Sequence, residues 1–484
     1  MSRSTPVTRT PAPATAGAGA RQPRLVHAVA AVSALGGLLF GYDTGIISSA
    51  LLFLARDFDL SARAQEVVVS AILVGAMAGA VGGGALSNRF GRRRVVMVVA
   101  VVFGVGAVAA ALAPGTASLV AARFVLGLAV GGASAMVPVY IAEMAPPGIR
   151  GRLMVLFQLM VAIGQLIAYV TGYLLAGSGG WRWMFAIAVV PAVVLLVGMT
   201  RLPESPRWLV EAGRVEQARA VLARLRRPED DVDAEVAEIR GVQDRLPGNP
   251  WRELRRAWIR PALVAALGIA MFSQLTGINA VVYYAPTVLT DAGFGDSVAL
   301  LTGIGIGVML VAAGITGALL VDRIGRRRIL LLLMPGSALA MGVLALAFLP
   351  QQVSPTQQWV IVAALFAYIG LNGVSMQSVV WLLGPEILPL AVRGPATSLA
   401  AVTLWGFDLL IAVTALTAVD TIGRTATFGV YALMNVLCIA FVVRWVPEPK
   451  GRSLEQIERA LRRPGRFPAE LAAIEAEDAH PRVR

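Results

Sequence analysis

The chain has 484 residues, of which 57% are hydrophobic and only 15% are charged, and its mean hydropathy is +0.72. Soluble domains carry about 25% charged residues, so this composition excludes an ordinary soluble protein, a disordered chain and a coiled coil. The net charge of +13 is concentrated in short arginine clusters between apolar segments, which favours a membrane protein over a nucleic-acid-binding protein.

Twelve apolar segments are long enough to cross a bilayer, which requires about 20 residues of helix. Residues 1–24 precede them and are predicted to form a disordered cytoplasmic tail, and residues 464–484 are predicted to be disordered as well. The one long polar segment, 203–258, has the apolar spacing of amphipathic helices and separates six spans from six. The predicted spans are 26–54, 67–87, 95–113, 118–142, 153–176, 183–201, 261–290, 298–320, 329–349, 358–384, 395–419 and 425–446.

The arginine distribution predicts the orientation of these spans. The loops after spans 2 and 8 contain clusters of arginine, whereas the loops after spans 3 and 9 contain none. Basic loops face the cytoplasm, so both termini and the segment 203–258 are expected to be cytoplasmic. Only one of the 42 basic residues is lysine, and Ala, Gly, Val and Arg are abundant, which is typical of proteins from GC-rich bacterial genomes. We therefore expect a multi-pass protein of the bacterial cytoplasmic membrane.

An internal repeat relates the two sets of six spans. NRFGRRR at 88–94 recurs as DRIGRRR at 322–328, and EMAPPGIRG at 143–151 recurs as EILPLAVRG at 386–394. The repeat predicts an all-α membrane protein made of two parallel six-helix bundles, with a substrate site between them at the midplane. The expected domains are the bundles 25–202 and 259–446, the cytoplasmic helical linker 203–258 and the C-terminal cytoplasmic tail 447–484.

The ordered set of motifs resembles the sugar porter family of the major facilitator superfamily over roughly residues 30–460. Each motif is weak alone, but their common order is specific for the family and much less so for a substrate. The motifs are GGLLFGYDTG at 36–45, the two arginine-rich loops, PVYIAE at 138–143, RGR at 150–152, PESPRWL at 203–209, QLTGIN at 274–279 with Tyr283 and Tyr284, and PEPKGRS at 447–453.

Asp43 is an acid near the middle of span 1, where a charge costs about 2.5–3.5 kcal/mol on insertion scales. Burial disfavours its ionised form and a nearby cation favours it, so such a carboxyl group can load and release a proton. The resemblance implies that Asp43 takes the proton and that Arg123 in span 4 is its partner. A structural arginine is the alternative for Arg123.

The resemblance also implies a sugar-binding set, in which amides suit hydroxyls because they both donate and accept hydrogen bonds. Hydrogen bonding between helices and packing are the alternative roles for these residues. Several expected amides are missing, since Ser273, Leu310 and Leu404 stand in their places and an acid, Asp408, stands where asparagine is common. Asp408 is either a second titrating group or the partner of a cation, and we expect it near the middle of span 11, facing the central cavity. The implied set is Gln158, Gln165, Gln274, Asn279, Tyr283, Tyr284, Trp381, Trp405 and Asp408.

A network of charges at the cytoplasmic ends of the spans is predicted to act as a gate. Arginine–carboxylate pairs between the halves would favour the outward-open state and break when the inside opens. Positive-inside topology signalling is the alternative explanation. The expected residues are Arg89, Arg92, Arg93, Glu143, Arg150, Glu204, Asp322, Arg323, Arg326, Arg327, Glu386, Arg393 and Glu448.

Three functions remain open at this point: a proton-coupled importer of a sugar or polyol, a facilitator of the same substrates, and a non-transporting sugar sensor. Asp43 favours the first, because facilitators of the family that this chain resembles usually have asparagine there. No enzyme, no cofactor other than the co-transported proton and no metal site is expected, since the chain has only two histidines, one cysteine and no phosphate-binding loop. The expected partners are the substrate and the lipid bilayer, with no nucleic acid, and we expect a monomer.

Overall fold

The computed structural model describes residues 24–146, 149–178, 180–244, 250–350, 353–389 and 392–479. The tail predicted for 1–24 therefore lies outside the described residues, except for Arg24, which begins the first helix. Within these ranges twelve helices are long and apolar enough to cross a membrane, as predicted. We number them as spans 1 to 12: Leu25–Asp57, Ala62–Phe90, Arg92–Ala111, Thr116–Met144, Leu153–Leu175, Trp181–Thr200, Ala257–Asp291, Asp296–Ile324, Arg326–Ala347, Pro355–Ile387, Arg393–Ala412 and Ala415–Trp445.

Short helices follow spans 6 and 12. Disorder of the whole segment 464–484 was a wrong prediction, because residues Phe467–Ala479 form a helix. Phe467, Leu471 and Ile474 lie on one face of this helix and are buried, so packing against the second half stabilises it. The short helices are Pro206–Glu211, Val215–Leu225, Val232–Asp244 and Pro250–Glu253 between the halves, and Leu454–Arg462 and Phe467–Ala479 after span 12.

Two spans of the second half are interrupted near residues of the predicted site. Span 7 contains the two α-helices Arg260–Leu275 and Ile278–Asp291, which are separated at Gly277, a residue in a left-handed conformation with φ 92°. The break frees the carbonyl of Thr276, which accepts hydrogen bonds from the Tyr368 hydroxyl at 2.7 Å and the Asn435 amide at 3.1 Å. Span 10 contains a π-helical turn at Gly373–Gln377. Interrupted helices of this kind often form the binding sites of transporters.

Glycine allows the helices of the first half to pack at backbone distance. A Cβ at Gly41 in span 1 would overlap the carbonyl of Val161 in span 5, and one at Gly131 in span 4 would overlap the carbonyl of Ala76 in span 2. Small residues permit close approach in membranes, where van der Waals packing replaces the hydrophobic effect. The resulting bundle fixes spans 1 and 4 in the positions that bring Asp43 and Arg123 together.

The two halves meet through spans 5 and 8, spans 2 and 11, and spans 1 and 7. In the interior, the Tyr169 hydroxyl of span 5 donates to the carbonyl of Val282 in span 7 at 3.1 Å. Several other polar contacts between the halves lie on the face where spans 1, 2, 8, 11 and 12 begin or end, opposite the arginine-rich loops 89–94 and 323–328. We call these two sides the arginine-rich face and the opposite face. The halves are therefore closed against each other at the opposite face.

Candidate functional site

Asp43 and Arg123 form a buried ion pair between spans 1 and 4. The Arg123 Nη1 atom lies 3.1 Å from Asp43 Oδ2 and 3.3 Å from Oδ1, and the two residues are 0% and 2% exposed. Arg123 also donates from Nε to the carbonyl of Val68 in span 2 at 3.2 Å. The guanidinium therefore holds together three helices, and loss of the Asp43 charge would release one of them.

The predicted amides form one group in each half. In span 5, Gln165 is half-buried and its Nε2 donates to Thr44 Oγ1 at 3.4 Å, which places it one residue from Asp43 along span 1. At the break in span 7, Asn279 Nδ2 donates to Gln274 Oε1 at 2.7 Å. Gln158 is half-buried two helical turns before Gln165, so both lie on one face of span 5. The break in span 7 thus turns two amides toward each other.

Four of the predicted site residues lie in the closed part of the interface. Trp405 is 3% exposed, and the centroid of its ring lies 5.6 Å from the ring centroid of Phe40 in the other half. The Tyr284 hydroxyl donates to the carbonyl of Ala412 at 2.6 Å, and the Tyr283 hydroxyl donates to Asp408 Oδ2 at 3.1 Å. Trp381, by contrast, is 41% exposed. The tyrosines, Trp405 and Asp408 are consequently sealed in this conformation, whereas Trp381 is not.

The position predicted for Asp408 within its helix was wrong. Span 11 ends at Ala412 and a new helix begins at Ala415, so Asp408 lies in the last turns and not near the middle. The sequence did not reveal this end, because apolar residues continue through the break and neither Gly nor Pro marks it. Asp408 faces the protein interior and not lipid, as expected, but at 2% exposure it is not open to a cavity.

The arginine-rich face of the first half has an ion-pair network within that half. Arg92 Nε lies 3.0 Å from Glu143 Oε2, and Arg92 Nη2 lies 3.6 Å from Glu211, on the helix that follows span 6. Glu204 accepts a hydrogen bond from the backbone N–H of Arg93 at 3.0 Å and so caps the N-terminus of span 3. Burial raises the pKa of Glu211, whereas Arg92 lowers it.

The second half repeats this arrangement. Arg326 Nη2 lies 2.7 Å from Glu386 and 2.9 Å from Asp322. Glu448 accepts hydrogen bonds from the backbone N–H groups of Arg326, Arg327 and Arg328 at 2.9, 3.0 and 3.2 Å, at the start of span 9. The sequence repeat is therefore also a structural repeat, in which Glu448 caps span 9 as Glu204 caps span 3.

Among the described residues of this face the predicted pairing between the halves is not seen, because Glu143 and Glu386 each bind an arginine of their own half. Arg89, Arg150 and Arg323 are exposed. Arg393 Nη2 donates to the carbonyl of Leu388 at 3.2 Å, again in its own half. The expected pairs between the halves are ones that break when the arginine-rich face opens. A role of these charges as a gate therefore stays a prediction.

Sequence reasoning missed the contacts that join the halves at the opposite face. We call them the polar clamp, defined as Arg56, Arg63, Glu66, Asp296 and Thr417. Arg56 forms a bidentate pair with Asp296 at 2.8 and 2.9 Å, and both side chains are exposed. Glu66 is fully buried and accepts hydrogen bonds from Thr417 N at 2.8 Å and from Thr417 Oγ1 at 2.6 Å. The predicted span 2 began at residue 67, so the lone acid Glu66 was assigned to a loop and overlooked.

Glu66 acts as a helix cap across the two halves. Thr417 lies in the first turn of the helix that begins at Ala415, where backbone N–H groups have no partner within the helix. A carboxylate at such an end also interacts favourably with the helix dipole. Arg63 adds to this contact by donating to the carbonyl of Val413 at 2.9 Å and to Glu66 at 3.4 Å.

Comparison with known proteins agrees with this architecture. A family model for "Sugar (and other) transporter" matches residues 29–461. The chain is 41% identical over 430 residues to the probable metabolite transport protein CsbC of Bacillus subtilis, covering 89% of this chain and 93% of that protein. It is 38% identical to the galactose-proton symporter of Escherichia coli, covering 91% and 95% of the two chains.

A solved structure with a similar fold is the inward-open conformation of the xylose transporter XylE from E. coli. It superposes with a TM-score of 0.78 at 30% sequence identity, over 90% of this chain and 99% of that one. The two parallel bundles, the repeated capping acids and the family match together lead to one assignment. This chain is a twelve-span membrane transporter that belongs to the sugar (and other) transporter family.

Proposed function

We propose that the protein imports a sugar or polyol together with a proton, by alternating access between its two halves. The observation that carries this proposal is the buried Asp43–Arg123 pair at 3.1 Å, beside an amide of span 5. The galactose-proton symporter among its relatives supports coupling to a proton. Hydrogen-bonding amides support a neutral, hydroxyl-rich substrate.

Protonation of Asp43 and binding of substrate are linked through span 1 in this mechanism. A proton on Asp43 removes the charge that holds Arg123, while Arg123 keeps its bond to the Val68 carbonyl in span 2. Thr44, the next residue, receives the Gln165 amide. A substrate that displaces Gln165 from Thr44 therefore acts on the same turn of helix as the proton.

We further propose that the arginine-rich face is cytoplasmic, following the positive-inside rule. Both termini and the helices between spans 6 and 7 then lie in the cytoplasm of a bacterium, and the opposite face with its polar clamp is external. On this assignment the structure is closed to the outside. The domain boundaries 25–202, 203–258, 259–446 and 447–484 belong to the same proposal, as does a monomeric carrier.

Asp43→Asn tests the proposal. The variant is expected to lose accumulation of substrate under an imposed proton gradient, yet to retain exchange of labelled for unlabelled substrate. Asp59→Asn is a matched control, because Asp59 is exposed between spans 1 and 2, and asparagine tolerates its left-handed φ of 48°. Equal accumulation by Asp43→Asn and the control would contradict proton coupling at this residue and would favour a facilitator.

A panel of labelled hexoses, pentoses and inositols, supplied to a host that lacks its own carriers, tests the substrate class. Uptake of at least one of these compounds that depends on Gln274 and Asn279 is the expected result. Uptake of none of them by a correctly folded protein would contradict the assignment to neutral polyhydroxy substrates.

A further inference from the structure

Asp408 is a buried acid that forms no ion pair with any residue in the described part of the chain. It is 2% exposed, and the hydroxyl of Tyr283 donates to its Oδ2 at 3.1 Å. Its Oδ1 is buried and has no hydrogen-bond partner among the residues that the structure describes. The neighbouring amide of Asn279, one helical turn before Tyr283, donates to Gln274. Oδ1 of this carboxyl group is therefore buried without a hydrogen bond from any described residue, and besides Tyr283 the Asn279 amide also interacts with the carboxyl group.

The other two buried acids of the interface differ from Asp408 in their partners. Asp43 binds the guanidinium of Arg123 with both oxygens, and Glu66 receives the N–H and the hydroxyl of Thr417 and one N–H of Arg63. Cations and hydrogen-bond donors of this kind offset part of the cost of burying a charge. Burying a charge without such partners is strongly unfavourable, and the group is neutralised instead.

The charged groups around Asp408 are already engaged. Arg123 binds Asp43 and the Val68 carbonyl, and Arg63 binds Glu66 and the Val413 carbonyl. The other charged residues of the helices packed against span 11 lie at or near the arginine-rich face, except Asp291, which ends span 7 at the opposite face and whose carbonyl accepts a hydrogen bond from Arg424. The titratable and charged groups of the elements packed around span 11 are Arg260, Tyr283, Tyr284 and Asp291 of span 7, Arg63, Glu66 and Arg89 of span 2, Asp43 of span 1, Arg123 of span 4, Glu386 of span 10, and Arg252 and Glu253 of the helix before span 7.

We propose that Asp408 is a second proton-binding site, which takes up a proton from the external water when the polar clamp closes over it. The proton forms an O–H bond at Oδ1, while Oδ2 continues to accept the hydrogen bond from Tyr283. When the clamp opens, water returns to the carboxyl group and the proton is released to the same side. The proton at Asp408 thus belongs to the movement of the external gate, separately from the proton that Asp43 carries.

The direction of the pH effect follows from linkage. The closed state binds one more proton than the open state, so lowering the external pH favours closure. The closed-to-open ratio rises by at most about tenfold per pH unit, in the range between the proton affinities of Asp408 in the two states. The inference rests on the proposed function only for alternating access and for the external side. It requires neither a particular substrate nor coupling at Asp43.

The test measures clamp closure in the absence of substrate. Spin labels are placed at Leu112→Cys and Leu349→Cys in a Cys438→Ser, Asp43→Asn protein. Leu112 and Leu349 are exposed at the equivalent ends of spans 3 and 9, on the face of the clamp. Double electron–electron resonance then gives the fraction of molecules with the short distance between the labels at each pH.

With Asp408 present, the closed-to-open ratio is expected to rise several-fold per unit as the pH falls, and with Asp408→Asn it is expected to be constant. A pH dependence that persists in Asp408→Asn would overturn the proposal, because another group would then control closure. Tyr283→Phe provides a second arm should Asp408→Asn fail to fold. Loss of the hydroxyl that stabilises the ionised carboxylate should move the transition to higher pH, and an unmoved transition would also overturn the proposal.

The outcomes of this experiment and of the transport assays are separable. Closure that responds to pH through Asp408, without uptake of any sugar or polyol, would sustain this inference and refute the proposed function. Proton-driven uptake together with pH-independent closure would support the proposed function and refute this inference.

Discussion

Removing the charge of Glu66 is expected to open the polar clamp. In the wild-type protein the N–H and the hydroxyl of Thr417 donate to the two carboxylate oxygens of Glu66 at 2.8 and 2.6 Å. Glu66→Gln keeps the shape of the side chain but has a single acceptor oxygen, so it can accept only one of these two hydrogen bonds. Hydrogen bonds to charged groups contribute about 1.5–3 kcal/mol each. Loss of one such bond from the closed state corresponds to a shift of about 10- to 150-fold in the closed-to-open ratio.

The distance distribution between spin labels at Leu112→Cys and Leu349→Cys in Cys438→Ser measures this shift at constant pH. Asp296→Asn is the matched control, because it weakens the exposed pair with Arg56 in the same clamp. Exposed pairs contribute about 0–1 kcal/mol, so we expect less than about a fivefold change there. A closed fraction in Glu66→Gln that equals that of Asp296→Asn would refute the reasoning that the buried helix cap holds this face shut.

Three further predictions concern the binding site and the arginine-rich face. Gln274→Ala is expected to raise the substrate Kd several-fold in an equilibrium binding assay, because one hydrogen bond to a neutral hydroxyl contributes about 0.5–1.5 kcal/mol; unchanged affinity would place the substrate elsewhere. Glu211→Gln is expected to raise the Tm at neutral pH, because burial raises the pKa of Glu211 above that of the unfolded chain and its charge therefore costs stability at higher pH. This gain should shrink as the pH falls and the wild-type carboxyl takes up a proton, whereas a lower Tm at neutral pH would mean that the pair with Arg92 outweighs burial. Glu448→Gln is expected to lower the stability by about 1–2 kcal/mol, since it weakens a cap on three backbone N–H groups, and an unchanged Tm would argue against the cap.

The sequence alone was sufficient for the twelve spans and the repeat, and it identified Asp43 as an acid within span 1. Hydropathy determines which helices enter a membrane because every backbone polar group must be satisfied within its own helix there. The helix Phe467–Ala479 also had a local signal, since Phe467, Leu471 and Ile474 have helical spacing. The overall composition of that tail concealed it. Features that depend on neighbours along the chain thus leave a signal in the sequence, even where, as in this helix, it was overlooked.

Only the tertiary structure identified the polar clamp and the isolation of Asp408. Glu66 and Thr417 are separated by 351 residues, and the helix end at Ala412 that exposes the N–H of Thr417 has no sequence marker. The exposure of Asp408 and the pairing of Glu143 and Glu386 within their own halves likewise depend on which face of the carrier is closed. A sequence encodes both states of such a two-state molecule, and the packing in one of them decides which polar groups have partners.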